Sequence, residues 1–181
     1  MARKKIKLIT FDLDDTVWPN QKVINDAEKA LWDFLLIKVP QVRNDLNEEN
    51  INRIRVGLIE KDNSLKFNLT EFRKKVVKEL LLKIGLDENE AIYYSNESFN
   101  EFFKVRNKVQ LYKDAKNVLE RLHRKVTIGS LSNGNADLSI IGINAFFDFS
   151  VCSKDVGSNK PSPPHFLRAL KLAECEPEQV V

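Results

Sequence analysis

The 181-residue chain is long enough for one domain, or for one core that carries a substantial insertion. Its 29 basic and 26 acidic residues give a net charge of +3 and are dispersed along the sequence, which gives no support for nucleic-acid binding. Two cysteines exclude a disulfide framework, and no uncharged run approaches the ~18 residues of a membrane span or forms a signal peptide. We therefore expect a soluble cytoplasmic protein with no membrane partner.

A short apolar segment near the amino terminus ends in a cluster of acidic residues. Residues 6–11 combine β-branched and aromatic side chains, which predicts a buried strand. Asp12 and Asp14 follow it two residues apart, so both project from the same side of an extended backbone. Ligand sites in open α/β sheets lie beyond the carboxyl ends of strands, and unpaired buried charge is unfavourable. This pattern suits a divalent cation, with an acidic turn that only caps a helix as the alternative.

The following stretch of the chain has helical periodicity and contains no convincing strand. Its apolar residues recur at spacings of three and four, as on one face of a helix. Pro40 ends the first predicted helix, Gly85 ends the third, and Asp87 with Glu90 forms a capping-box pattern that opens the fourth. We predict an all-helical module with its own core, whose first three helices are residues 23–39, 48–60 and 70–84.

Further along, the pattern changes to alternating helices and strands. A chain of this kind folds into a mostly parallel sheet covered by helices, so we predict an α/β fold. Proline is tolerated in the first turn of a helix, and Pro163 or Pro164 is expected to open the last helix. The predicted helices of this part are residues 114–124 and the segment that ends at residue 172. The predicted strands are residues 126–131 and 148–152, and residues 178–181 are predicted to begin a further strand.

Polar residues suited to a phosphate follow three of these strands. Asp12 is a carboxylate that can attack phosphorus, and Asp14 can donate a proton to the leaving oxygen and later take one from water. The Ser132 hydroxyl and the backbone N–H groups near Asn133 can bind an anion, and Lys160 can neutralise phosphoryl oxygens. Taken singly, the serine turn and the Lys-Pro pair are typical of ordinary loops. Their conjunction, each after a strand, indicates a phosphate site.

Three segments resemble the motifs of the haloacid dehalogenase-like superfamily of hydrolases. They are residues 12–16 (Asp-Leu-Asp-Asp-Thr), residues 131–133 (Leu-Ser-Asn) and Lys160 within residues 157–161 (Gly-Ser-Asn-Lys-Pro). The resemblance covers nearly the whole chain, and the helical insertion resembles the family's helical cap. It implies a Rossmann-like parallel-sheet core formed by residues 1–16 and 110–181, with the cap at residues 17–109.

The resemblance also implies a mechanism. Asp12 would form an aspartyl-phosphate, Asp14 would act as general acid and base, and Mg²⁺ would bind the Asp12 carboxylate and the Asp14 backbone carbonyl. Ser132, Asn133 and Lys160 would bind the phosphate. The dehalogenases of this superfamily lack an acid two residues after the nucleophile, because a halide leaves without a proton. Asp14 therefore favours hydrolysis of a phosphoester.

The sequence around the first two motifs is closest to one branch of this superfamily. That branch hydrolyses flavin mononucleotide or the phosphorylated ribitylaminouracil of riboflavin synthesis. We expect a Mg²⁺-dependent phosphatase whose partner is a small phosphorylated metabolite of this kind. A phosphotransferase or mutase on the same scaffold, and a non-catalytic phosphate-binding protein, are the alternatives.

Residues beside the first motif have expected supporting roles. Thr16 is expected to orient the Asp14 side chain, and Asp15 to bond backbone N–H groups of the turn. Trp18 is expected to pack at the hinge of the helical module, with stacking on a flavin or base as the alternative. The two histidines are His123 and His165. Neither has a possible metal or triad partner nearby in the sequence, so neither is assigned such a role.

The sequence ends at Val181, just before the point where the family has a fourth motif, Gly-Asp followed by another Asp. We therefore expect a fragment of a longer enzyme that lacks the last part of its core and is poorly active and marginally stable. In the family's sheet the missing strand lies beside the first one. The strand that carries Asp12 is accordingly expected to present an exposed apolar edge.

Overall fold

The computed structural model describes residues 5–181, and residues 1–4 of the predicted core lie outside the described part. The chain divides into two compact units. One is the helical segment Gln21–Lys108, and the other joins the segments on either side of it, up to Asn20 and from Val109 onward. The strands are β1 (Leu8–Phe11), β2 (Thr127–Ser132) and β3 (Phe149–Cys152). The α-helices are α1 (Gln21–Lys38), α2 (Glu48–Lys61), α3 (Leu69–Lys83), α4 (Glu88–Arg106), α5 (Ala115–His123), α6 (Leu138–Ile141), α7 (Ser153–Val156) and α8 (Pro164–Leu172).

A parallel sheet in the order β1-β2-β3 forms the centre of the α/β unit. Phe11 pairs with Ser130, and Ser132 pairs with Cys152, so the carboxyl ends of all three strands meet at one edge. The helices between the strands supply the crossovers that parallel pairing requires. The predicted α/β fold with a parallel sheet is confirmed.

The last residues of the chain lie beside the other edge of β1. Val180 forms a parallel bridge with Leu8, and the Thr10 N–H donates to the Val181 carbonyl at 2.7 Å. The Val181 N–H donates in turn to the Leu8 carbonyl at 3.1 Å. Leu8 is fully buried. The expectation of an exposed edge is therefore wrong for β1, because residues 179–181 occupy the pairing positions on that side.

Helices cover both faces of the sheet. Successive strand residues point to opposite faces, and the apolar side chains of β1 enter two different clusters. Leu8 packs with Ala169 of α8, whereas Phe11 packs with Leu119 of α5. Burial on both faces is the usual state of a parallel sheet, and it fixes the strand ends rigidly for the polar residues that follow them.

The boundary between the units differs from the predicted one. Residues 17–20 were assigned to the helical module, but they belong to the α/β unit. Val17 and Trp18 are buried in the cluster that contains Leu119, and the Val17 carbonyl accepts a hydrogen bond from the Tyr112 N–H at 3.0 Å. The partners of residues 17 and 18 lie in the second segment of the α/β unit, so no local sequence pattern predicts these contacts.

The helical unit has its own apolar core. α1 packs against α4, α4 against α3, and α3 against α2. Asparagine or aspartate side chains cap three of the four helices: Asn47 accepts from the Asn50 N–H, Asn68 from the Glu71 N–H, and Asp87 from the Glu90 N–H. Across residues 5–181, no helix is both long enough and apolar enough to cross a membrane.

Candidate active site

The Lys160 side chain links the ends of β1 and β2. Lys160 Nζ lies 2.7 Å from Asp12 Oδ1 and also donates to the Leu131 carbonyl. Because Phe11 pairs with Ser130, Asp12 comes level with Leu131, and one ammonium group reaches both. The Lys160 side chain is 19% exposed and the Asp12 side chain 45% exposed, so the cation is sheltered while the carboxylate faces solvent.

The turn after β2 holds the backbone of Lys160 in place. Asn133 Oδ1 accepts from the Lys160 N–H at 2.7 Å and from the Ser153 hydroxyl at 3.2 Å, and its Nδ2 donates to the Lys160 carbonyl at 3.2 Å. Asn133 was predicted as a phosphate ligand. Its side chain bridges the ends of β2 and β3 to the loop that carries the lysine, and its backbone N–H is not used by these contacts.

The Ser132 side chain is buried at the same edge and accepts a hydrogen bond from the Gly134 N–H at 2.9 Å. This bond uses a backbone donor that we had expected to be part of an anion-binding nest. It also occupies an acceptor position of the hydroxyl, whose own proton is then directed elsewhere. Ser132 is thereby arranged as a donor.

The loop between β1 and α1 is stabilised by its own side chains. Asp15 adopts a left-handed conformation with φ of 61°, which a short polar residue tolerates, and its Oδ1 accepts from the Asn20 N–H at 2.8 Å. Trp18 is fully buried and its Nε1 donates to Asp14 Oδ1 at 3.0 Å. The indole therefore holds the carboxylate of Asp14, and its burial excludes the alternative that Trp18 stacks on a flavin or base.

Thr16 lies beside Asp12. Its hydroxyl donates to Asp12 Oδ2 at 3.4 Å, a long hydrogen bond, whereas we had expected it to orient Asp14. The two Asp12 oxygens thus differ: Oδ1 lies 2.7 Å from Lys160 Nζ, whereas within residues 5–181 the hydrogen bond of Oδ2 is this long one from Thr16. Of the two oxygens, Oδ2 is the freer to react or to bind a cation.

His165, in the first turn of α8, contacts the same turn from the protein interior. It is fully buried, and its Nε2 lies 3.3 Å from the Ser132 carbonyl oxygen. Burial lowers the pKa of His165 below its ordinary value of 6.5, and the positive charge of Lys160 lowers it further. The hydrogen bond with Ser132 and the carboxylate of Asp155 act in the opposite direction.

The acidic residues at this edge are candidate ligands for a metal ion. Within residues 5–181, no group of three or more His, Cys, Asp or Glu side chains is arranged to hold a metal. Asp12 and Asp14 supply hard oxygen donors, and Mg²⁺ keeps several waters and is commonly bound by one or two carboxylates plus substrate phosphate. The donors present therefore fit a magnesium ion that water and a phosphate help to coordinate.

The structure brings Asp12, Ser132, Asn133 and Lys160 to one edge of the sheet. Sequence reasoning missed three contributions there: the Leu131 carbonyl, the Ser153 hydroxyl and the His165 imidazole. Ser153 directly follows a predicted strand, and that position could have identified it. No local signal marks His165, because its contact with Ser132 spans 33 residues of sequence.

Known proteins are similar to this chain over nearly its whole length. Residues 6–181 match the family model of the haloacid dehalogenase-like hydrolases. The 5-amino-6-(5-phospho-D-ribitylamino)uracil phosphatase YigB of Escherichia coli is 29% identical over 169 residues, which cover 93% of this chain and 71% of that protein. The glyceraldehyde 3-phosphate phosphatase of Methanothermobacter thermautotrophicus is 29% identical over 185 residues, which cover 97% of this chain and 75% of that protein.

A solved structure is also similar. The 2-haloacid dehalogenase from Pseudomonas syringae pv. tomato DC3000 is 36% identical, with a TM-score of 0.93, and the match covers 97% of this chain and 76% of that one. Two of these relatives are named as phosphatases and one as a dehalogenase. The residues at the sheet edge are therefore needed to choose between the two reactions.

Proposed function

Since the chain belongs to the haloacid dehalogenase-like hydrolase family, we propose that it is a Mg²⁺-dependent phosphatase that forms an aspartyl-phosphate on Asp12. Family membership confirms the prediction of a hydrolase. The observation that carries the proposal is the sheltered ammonium of Lys160, 2.7 Å from Asp12 Oδ1. It neutralises one carboxylate oxygen, and Oδ2 of this half-exposed side chain acts as the nucleophile.

The reaction divides into two displacements at phosphorus. Asp12 Oδ2 attacks, a P–O bond to the carboxylate forms, and the P–O bond to the leaving alcohol breaks while Asp14 gives that oxygen a proton. Water then attacks the aspartyl-phosphate, Asp14 takes a proton from it, and inorganic phosphate leaves with the carboxylate restored. Trp18 supports this role, because its hydrogen bond at 3.0 Å holds the Asp14 carboxylate through Oδ1.

Two side chains are placed to stabilise the charge on the phosphoryl oxygens. Ser132 accepts from the Gly134 N–H, so its own proton is available to a phosphoryl oxygen. Lys160 adds a cation whose position the clamp from Asn133 fixes before substrate arrives. Donors that need no rearrangement contribute most to the stabilisation of a transition state.

Magnesium would be held by Asp12 and Asp14. When bound, the ion polarises the phosphoryl group and neutralises its charge. Asp12 and Lys160 would still carry out attack and charge neutralisation from their own positions.

Asp14 favours one of the two reactions that the relatives' names suggest. A halide leaves without a proton, whereas the alkoxide of a phosphoester needs a general acid. An acid two residues after the nucleophile, fixed by a buried indole, therefore favours phosphoester hydrolysis. The dehalogenase among the similar structures makes cleavage of a 2-haloacid the second candidate.

The relatives' names support a small phosphorylated metabolite as substrate, in the size range of a ribitylaminouracil phosphate or a triose phosphate. A flavin mononucleotide remains within this class. Transfer of the phosphoryl group to a sugar, and phosphate binding without catalysis, are the competing outcomes.

The test compares turnover of p-nitrophenyl phosphate with turnover of 2-chloropropionate, with and without Mg²⁺. We expect Mg²⁺-dependent release of phosphate and no release of chloride. Asp12→Asn should lower kcat about 10³-fold or more, and Asp14→Asn about 10²- to 10⁴-fold. Beryllium fluoride trapping followed by mass spectrometry should locate the adduct on Asp12. Chloride release, or full turnover by Asp14→Asn, would contradict the proposal.

A further inference from the structure

His165 is a buried imidazole that the mechanism above does not use. Its Nε2 faces the Ser132 carbonyl at 3.3 Å, and a carbonyl oxygen can only accept, so Nε2 carries the proton. The other ring nitrogen, Nδ1, is buried and has no hydrogen-bond partner within residues 5–181. The ring therefore makes one polar contact and leaves one polar atom unsatisfied.

Packing alone does not explain a histidine at this position. A buried polar atom without a partner is unfavourable, and an apolar side chain of similar volume would fill the site without it. What an apolar side chain could not supply is the hydrogen bond to Ser132. The imidazole is explained by that bond and by its effect on the turn after β2.

The Ser132 carbonyl and the Asn133 N–H belong to one peptide unit. A trans peptide is planar and its C=O and N–H point in opposite directions, and the cis bond in the described chain lies elsewhere, at Lys160-Pro161. A donor that fixes the carbonyl from the interior thereby fixes the direction of the N–H on the opposite side. The Asn133 side chain is also hydrogen-bonded to the Lys160 backbone, through Oδ1 to its N–H and through Nδ2 to its carbonyl. The Ser132–Asn133 peptide is therefore held by His165 on one side and by the Asn133 side chain on the other.

We propose that His165 is a positioning residue of the phosphate site, which holds the Ser132–Asn133 peptide so that the Asn133 N–H is directed at a phosphoryl oxygen. The proposal rests on the phosphatase function inferred above. His165 acts through the peptide and touches no reacting atom. Burial and the positive charge of Lys160 lower the pKa of His165, which favours the neutral ring, whereas the hydrogen bond with Ser132 and the carboxylate of Asp155 act in the opposite direction.

The test uses two substitutions at His165 and one control. His165→Leu keeps the volume and removes the donor, and His165→Gln retains an N–H donor of similar reach. His123→Leu changes an exposed histidine in the same unit. The readouts are the affinity for inorganic phosphate by calorimetry, kcat and KM for p-nitrophenyl phosphate, and the ¹⁵N chemical shift of the Asn133 amide in the ligand-free protein.

We expect His165→Leu to weaken phosphate affinity about fivefold, the factor that corresponds to one neutral hydrogen bond. KM should rise by a similar factor, and the Asn133 amide resonance should move. His165→Gln should restore most of the affinity and the wild-type resonance, and His123→Leu should change neither.

An unchanged Asn133 resonance in His165→Leu would overturn the proposal, whatever happens to activity. Equal loss of affinity in the Leu and Gln variants, or failure of both to fold, would overturn it as well, because His165 would then be a packing residue. If the wild-type protein neither binds phosphate nor hydrolyses the ester, the phosphatase function fails. The amide resonance still decides whether His165 orients the peptide.

Discussion

Trp18 Nε1 donates a hydrogen bond of 3.0 Å to Asp14 Oδ1, so a buried indole holds the proposed general acid. The two residues are four positions apart in one loop, and an isolated bridge joins their backbones as well. The orientation of Asp14 is therefore coupled to the packing of the α/β core, through the apolar cluster that buries Trp18.

Trp18→Phe should separate positioning from packing at this point. Phenylalanine retains most of the apolar contact but has no N–H, so Asp14 loses the hydrogen bond to its Oδ1. We expect kcat for p-nitrophenyl phosphate to fall about tenfold, the value of one hydrogen bond, while KM stays within twofold. Trp32→Phe, in the helical unit, is the matched control and should leave kcat unchanged. A rise in KM with unchanged kcat would show that Trp18 contacts substrate.

Lys160→Met should remove the cation that neutralises Asp12 while it keeps the length of the side chain. The phosphoryl oxygens would then lose a preorganised charge, and we expect kcat to fall about 10²- to 10³-fold. Lys154→Met, an exposed lysine six residues earlier, provides the control. Steady-state assays with p-nitrophenyl phosphate measure the change. Retention of more than a tenth of wild-type kcat would mean that Lys160 is only a structural link between β1 and β2.

The buried His165 predicts how stability depends on pH. Burial lowers its pKa in the folded protein, so between that value and 6.5 the unfolded chain binds more protons. Its contribution to the free energy of unfolding should be complete above pH 6.5 and should be lost as the pH falls through the folded-state pKa. Urea titrations across this range should show a decline that His165→Leu reduces and that His123→Leu leaves intact. An identical decline in all three proteins would contradict this assignment.

Gly129 in β2 has no room for a side chain. A Cβ built there would lie 2.3 Å from Cε2 of the Phe149 ring on the neighbouring strand. Gly129→Ala should therefore lower the free energy of unfolding by about 1–3 kcal/mol, as expected for overpacking. Adding Phe149→Leu should recover part of that loss.

Gly57→Ala is the contrasting case, because no heavy atom lies within 4 Å of a Cβ built at Gly57. This substitution should stabilise α2 by about 0.5–1 kcal/mol. Denaturant unfolding of the four proteins measures these differences.

Much of the fold could be predicted from local pattern. Pro40, Gly85 and Asp87 mark real helix boundaries, because proline, glycine and a capping aspartate act within a single turn. The strand before Asp12 was also predicted, since its apolar residues precede an abrupt change to carboxylates. The boundary at residues 17–20 was not, because the burial of Trp18 depends on residues from the distant second segment.

The candidate site was predictable in its residue types and less so in its contacts. Asp12, Ser132 and Lys160 stand out because charged or hydroxyl side chains follow apolar strands. The side-chain contacts of Asn133 and Thr16 were not predicted, because their partners depend on the three-dimensional arrangement of Lys160 and Asp12. His165 was dismissed for want of a nearby partner, and its actual partner is a backbone carbonyl that carries no sequence signature.

Asp12 precedes Lys160 by 148 residues. At a translation rate of about 5–20 residues per second, roughly 7–30 s separate the synthesis of the two residues. A nascent chain can complete the helical unit, which ends at Lys108, well before the ammonium group emerges from the ribosome. The Asp12–Lys160 ion pair therefore forms only after the helical unit has been synthesised, and a polypeptide that stalls before residue 160 lacks it.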